Sequence, residues 1–110
     1  MQVEKQLEII VAALESRKGK EIIVLDVAGK TSVCDYFVVA GGASVPQVKA
    51  LAEEVELQMD KAGVPKRRAE GISDGRWAVI DYGDIIVHIF HDETRLFYHL
   101  ERLWSGGDKA

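Results

Sequence analysis

The chain has one cysteine, two prolines and no apolar run approaching the ~20 residues a bilayer span requires. The lone Cys34 cannot close an internal disulfide, which excludes a disulfide-stapled scaffold and fits a reducing compartment. Met1 to Glu8 carries early acidic residues and no basic stretch leading into an apolar block, so neither a secretory signal nor a transit peptide is expected. No membrane association is expected, and the expected location is cytoplasmic. Basic residues are also in deficit: 14 Lys and Arg stand against 18 Asp and Glu, for a net charge of −4. Because nucleic acids are held largely by Lys and Arg on phosphates, little direct nucleic-acid binding is expected. The one basic cluster, Lys66-Arg67-Arg68, reads as a solvated loop. An acidic chain is better matched to a basic protein surface.

What is present is ordinary globular material, 110 residues with 47% hydrophobic, enough for a single domain (1–110) with its own core. Val3, Leu7, Ile10, Val11 and Leu14 recur at helical spacing, so a first helix is expected from Gln2 to Ser16, ended by Gly19. Glu21 to Val27 reads as a strand buried on both faces. Asp35 to Ala40 reads as a second strand, broken by Gly41-Gly42. Ser44 and Gln47 have capping-box spacing and Pro46 falls in the first turn, which predicts a helix over Val45 to Ala62. Its buried stripe would be Val48, Leu51, Ala52, Val55, Met59 and Ala62. A hairpin follows, then a third helix from Asp92 to Trp104 burying Leu96, Leu100 and Leu103, and a flexible tail over 105–110. The expected class is α/β, a small mixed-sheet two-layer domain in the order α-β-β-α-β-β-α.

Aromatic residues make up only 7% of the chain, and most of them, with all three histidines, lie between Glu70 and Trp104. Asp81-Tyr82-Gly83-Asp84 separates two apolar runs, and Tyr82-Gly83 can form a two-residue turn with Gly83 at positive φ. That turn would set Ile80 opposite Ile85 and Trp77 opposite His88. Alternation then puts Trp77, Val79, Ile86, His88 and Phe90 on one face, and Ala78, Ile80, Ile85, Val87 and Ile89 on the other. The second set is a plain core. The first is amphipathic and is the expected place for a partner, the alternative being a second hydrophobic layer or a homodimer surface. Tyr98 would lie about 200° around its helix from Leu100, facing away from the core.

Catalytic constellations are weak. Gly41-Gly42-Ala43-Ser44 ahead of a helix could hold an anion, but the paired carboxylates of a nucleotidyltransferase are missing from one strand, and Asp81 and Asp84 flank a turn. His88 and His91 point to opposite faces of a strand end, with no third ligand to complete a metal site. Cys34 has no identifiable activating neighbour. No cofactor and no metal are expected.

Leu25-Asp26-Val27, Cys34-Asp35-Tyr36-Phe37, Glu70-Gly71, Asp81-Tyr82-Gly83-Asp84, Val87-His88-Ile89-Phe90, Phe97-Tyr98 and Leu100-Glu101-Arg102-Leu103-Trp104 occur in that order. Together they resemble the ribosomal silencing factor, or Iojap-related, family over about Leu7 to Trp104. The resemblance implies a nucleotidyltransferase-related fold without that activity. It also implies a repressor that binds the large ribosomal subunit at its fourteenth protein, blocks joining of the small subunit and silences translation under nutrient limitation. On that basis Trp77, Tyr82, His88, Phe90 and Tyr98 would supply apolar contact, and Glu70, Asp74, Asp81 and Asp84 would meet basic side chains. A homodimer is a further possibility. The alternative from another class is a nucleotide-binding or nucleotidyltransferase enzyme.

Overall fold

The computed structural model describes residues 1–92. The expected third helix, Tyr98 on it and the tail over 105–110 lie outside the described residues. Within them the order is α1 (Val3–Ser16), β1 (Lys20–Asp26), β2 (Tyr36–Gly42), α2 (Val45–Lys61), β3 (Arg68–Glu70), β4 (Trp77–Asp81) and β5 (Ile85–His91). The five strands form one mixed sheet in the order β1-β2-β5-β4-β3. β2 runs parallel to β5, and the other pairs are antiparallel.

Helix ends follow from local chemistry. The Ser44 hydroxyl accepts the Gln47 N–H at 3.2 Å as the capping-box spacing predicts, while the Gln47 amide oxygen reaches back one residue past the cap to accept the Ala43 N–H at 2.7 Å. The Gln47 amide nitrogen also donates to the Arg17 and Lys18 carbonyls, tying the start of α2 to the end of α1. α1 does not stop on Gly19 as expected. The left-handed residue there is Lys18 (φ 63°), with Lys18 N–H on the Glu15 carbonyl and Gly19 N–H on that of Leu14. α2 ends the same way around Gly63.

Both helices pack on one side of the sheet. Ile10, Leu14, Val48, Leu51, Ala52, Val55 and Met59 meet Val38, Ala40, Ala78, Ile80, Ile85, Val87 and Ile89 in an apolar layer. The α2 stripe is as its periodicity predicts, apart from the partly exposed Ala62 at the cap. In α1 the buried face is turned so that Gln6 is inside and Val11 only half-buried. Gln6 reaches the Met1 carbonyl at 3.0 Å.

The sheet departs from the sequence reading in four places. β1 is an edge strand, and only Leu25 of its residues is buried. Gly41 and Gly42 continue β2 and pair with Phe90 and His91. Gly42 is required by close approach, since a Cβ there would lie 2.9 Å from Val48 Cγ2. β3, three residues of the Arg68 region, was unforeseen and extends the order. Finally, the hairpin is two residues out of the expected register: Asp81 faces Ile86, Val79 faces His88 and Trp77 faces Phe90. The Asp81 carboxylate accepts the Gly83 N–H at 2.7 Å, and Tyr82 N–H donates to the Ile85 carbonyl, so Tyr82 and Ile85 close a two-residue turn at Gly83-Asp84, one residue beyond the expected Tyr82-Gly83. Gly83 does sit at positive φ, 95°. A shift of two leaves every side chain on its expected face.

Candidate partner-binding face

The sheet face opposite α1 and α2 is built by β1, β2, β4 and β5. Leu25, Val27, Cys34, Phe37, Val39 and Phe90 form its buried layer, with Ile23, Trp77 and Ile86 partly buried against them. The register places Trp77 directly across from Phe90, and the two rings stack at 4.9 Å with a 28° interplanar angle. His88 sits diagonally from Trp77, and its Nδ1 accepts the indole N–H at 3.1 Å. Phe37, from the parallel neighbour, meets the imidazole edge-on at 4.9 Å and 76°.

This geometry fixes the state of His88. Only 8% of the residue is exposed, and burial pushes its pKa down to about 4, so the ring is neutral near pH 7. With Nδ1 accepting, the proton resides on Nε2, and that buried N–H has no hydrogen-bond acceptor among the described residues. The backbone beneath Trp77 is also held. Gly71, at φ 78°, packs so closely that a Cβ there would lie 2.1 Å from the Trp77 carbonyl oxygen. His91 N–H donates to the Arg76 carbonyl at 2.8 Å, fastening the entry to β4.

The expected contact residues divide. Trp77, His88 and Phe90 do come together, but Phe90 is fully buried and His88 nearly so, leaving Trp77 as the half-buried member. Tyr82 belongs elsewhere. It is 8% exposed in the layer under the helices, and burial, followed by the charges of Glu56 and Asp60, pushes its pKa up. Its position after β4 continues the inward alternation of Ala78 and Ile80, which placing the turn at Tyr82-Gly83 had obscured. The acidic residues do not form one cluster. Glu70 lies on edge strand β3, 3.9 Å from Arg68, and Asp74 lies in the loop before β4, 3.8 Å from Arg76. Asp81 and Asp84 are at the far end of β4, about 13 Å along the strand from Trp77. Sequence reasoning missed Phe37 as the ring that supports His88; its alternation with Val39 on β2 was the available signal.

Chemistry of other kinds finds little purchase. At the start of α2 the Gln47 N–H already donates to the Ser44 hydroxyl, Pro46 has no N–H, and the Ala43 N–H just before the helix donates to the Gln47 amide oxygen, which reduces what an anion could find there. Among the described residues no group of three His, Cys, Asp or Glu could hold a metal ion. The Cys34 thiol is buried and its pKa is pushed up by burial, opposite to an activated nucleophile. In the basic cluster, Lys66 pairs with Glu56 at 2.8 Å and Arg67 lies against Gly83. No helix among the described residues is long and apolar enough to cross a membrane.

Comparison with known proteins gives a consistent result. Residues 1–110 match the family model described as "Ribosomal silencing factor during starvation". The chain is 38% identical over 104 residues to "Ribosomal silencing factor RsfS" of Bacillus subtilis, covering 94% of this chain and 88% of that protein. A crystal structure of a protein from Chromobacterium violaceum superposes with a TM-score of 0.94 at 38% identity, over 100% of this chain and 92% of that one. A mouse protein named "Mitochondrial assembly of ribosomal large subunit protein 1" is 26% identical over 102 residues, 90% of this chain and 45% of the mouse protein.

Proposed function

Because this chain belongs to the ribosomal silencing factor family, we propose that it represses translation by binding the large ribosomal subunit and blocking joining of the small one. The carrying observation is the family match over residues 1–110. The docking point is the fourteenth protein of the large subunit, and the occasion is nutrient limitation, as the family resemblance implies. The protein acts in the cytoplasm, by occlusion and not by catalysis; its relatives are named as silencing factors. The kinship in fold to nucleotidyltransferases that the resemblance implies does not by itself carry that activity.

Two features of the chain support this reading. A net charge of −4 suits a basic ribosomal protein, and Glu70 on β3, Asp74 before β4, and Asp81 and Asp84 at the hairpin turn provide carboxylates at separate points around it. Trp77 supplies a large half-buried ring on a rigid strand pair, the kind of side chain that dominates interface energetics. Tyr98, which lies outside the described residues, is retained as a contact residue on the family resemblance alone. Phe90 and His88 contribute from beneath the proposed surface. Tyr82 is withdrawn from the contact set because it packs under the helices. A homodimer through this face is compatible with the proposal, with the ribosome and the second copy competing.

The test is reconstitution. Purified large and small subunits are mixed with and without the protein and resolved on a sucrose gradient. The protein should co-sediment with large subunits and deplete the joined peak. Equal binding to small subunits, or an unchanged joined peak, contradicts the proposal.

A further inference from the structure

Stacking on Phe90 at 4.9 Å and 28° sets the plane of the Trp77 ring. It does not set which edge of the indole points where. A flip about the bond joining ring to Cβ exchanges the two edges while leaving the ring on the same apolar platform. What distinguishes the two orientations is a directional contact, and the described residues supply one. The indole N–H donates to His88 Nδ1 at 3.1 Å. The acceptor is itself immobilised. Its ring is held edge-on by Phe37 at 4.9 Å, lies nearly parallel to Phe90 at 6.2 Å and 10°, and is enclosed to 8% exposure.

We propose that His88 is a positioning residue for Trp77: its Nδ1 selects one orientation of the half-buried indole and so fixes the aromatic edge presented to the ribosomal partner. This rests on reading Trp77 as part of the partner surface. Histidine suits the task because its short, rigid ring brings an acceptor to a defined point within an apolar layer. Phenylalanine would fill the same layer without an acceptor. Asparagine can return an amide oxygen near the place of Nδ1. The buried and otherwise unused Nε2–H is the cost of employing an imidazole there, since an apolar filler would leave no unsatisfied donor.

The test compares His88→Phe and His88→Asn with the unaltered chain, using 15N-labelled indole resonances and titration onto large subunits. The chain has two tryptophans, and Trp104→Phe assigns the Trp77 signal. In His88→Phe the Trp77 indole proton should move upfield and exchange faster with water. Affinity for large subunits should fall roughly three- to tenfold, as expected for one lost hydrogen bond. His88→Asn should restore much of the indole shift and of the affinity, which a purely space-filling role would not do. An unchanged indole resonance in both variants overturns the positioning role. A shifted resonance with unchanged affinity overturns its use in binding, provided Trp77→Ala weakens binding. If Trp77→Ala leaves binding intact, the surface assignment itself fails, and the resonances still decide whether His88 orients the ring.

Discussion

The two faces of the sheet come from the same strands and differ in how their contacts are made. Under the helices, Ile10, Leu14, Leu51, Val55 and Met59 meet Val38, Ile80, Val87 and Ile89, all fully buried. Such contacts are non-directional, and aliphatic side chains of similar volume can replace one another at small cost. On the opposite face, Phe37, Trp77, His88 and Phe90 meet at defined ring angles with a hydrogen bond among them. One face holds the fold together; the other holds particular atoms in particular places. Trp77, which opens β4, and Tyr82, which follows its end, fall on opposite sides of that division.

The largest effect is expected at Tyr82. Tyr82→Ala empties a buried site under the helices and should cost about 3 kcal/mol or more of folding stability. Affinity of the molecules that remain folded should be unchanged. Urea unfolding and a large-subunit titration on the same preparation check both halves. Lost affinity with stability intact would move Tyr82 to the partner surface.

The pH dependence of stability sharpens the other side. His88 has a pKa lowered from 6.5 to about 4 by burial, so below the higher value the unfolded chain takes up a proton that the folded chain refuses. Its contribution is complete above about pH 6.5, declines as pH falls toward about 4 and is exhausted below that. The full loss is about 3 kcal/mol, with 8% exposure leaving little solvent screening. Urea midpoints at pH 7 and pH 4.5 should show a larger drop for the unaltered chain than for His88→Asn. Equal drops would mean that His88 is not enclosed as described.

The smallest effect is expected at the basic cluster. Lys66→Ala with Arg67→Ala removes exposed charges, one of them paired with Glu56, and should change stability by about 0.5 kcal/mol or less per site. Large-subunit binding should be nearly unchanged under the proposal, which does not rely on phosphate contacts. Strong loss of binding, measured in the same titration, would shift the interface to the β3 edge.

Much of this architecture was legible in the sequence because the responsible forces are local. The Ser44–Gln47 box, the stripe from Val48 to Met59 and the alternation along Trp77–Asp81 and Ile85–His91 all act within a few residues. What escaped depends on distant partners. Nothing in Lys20–Asp26 says that it has a neighbour on one side only among the described residues, and nothing in Arg68–Glu70 marks so short and charged a run as a strand. Gly41-Gly42 looks like a break until α2 is known to pack against it. Of the candidate site, the face was legible and the depth was not. Periodicity put Trp77, His88 and Phe90 together, but it cannot tell a surface ring from the buried platform beneath it.

The central claim is tested most directly by a subunit-joining gradient run with the unaltered chain, Trp77→Ala and Tyr82→Phe. The unaltered chain and Tyr82→Phe should deplete joined ribosomes equally. Trp77→Ala, with its fold verified by circular dichroism, should need a much higher concentration to do so, since truncating a central interface tryptophan costs about 2 kcal/mol or more. Equal silencing by Trp77→Ala and the unaltered chain would contradict the assignment of this face.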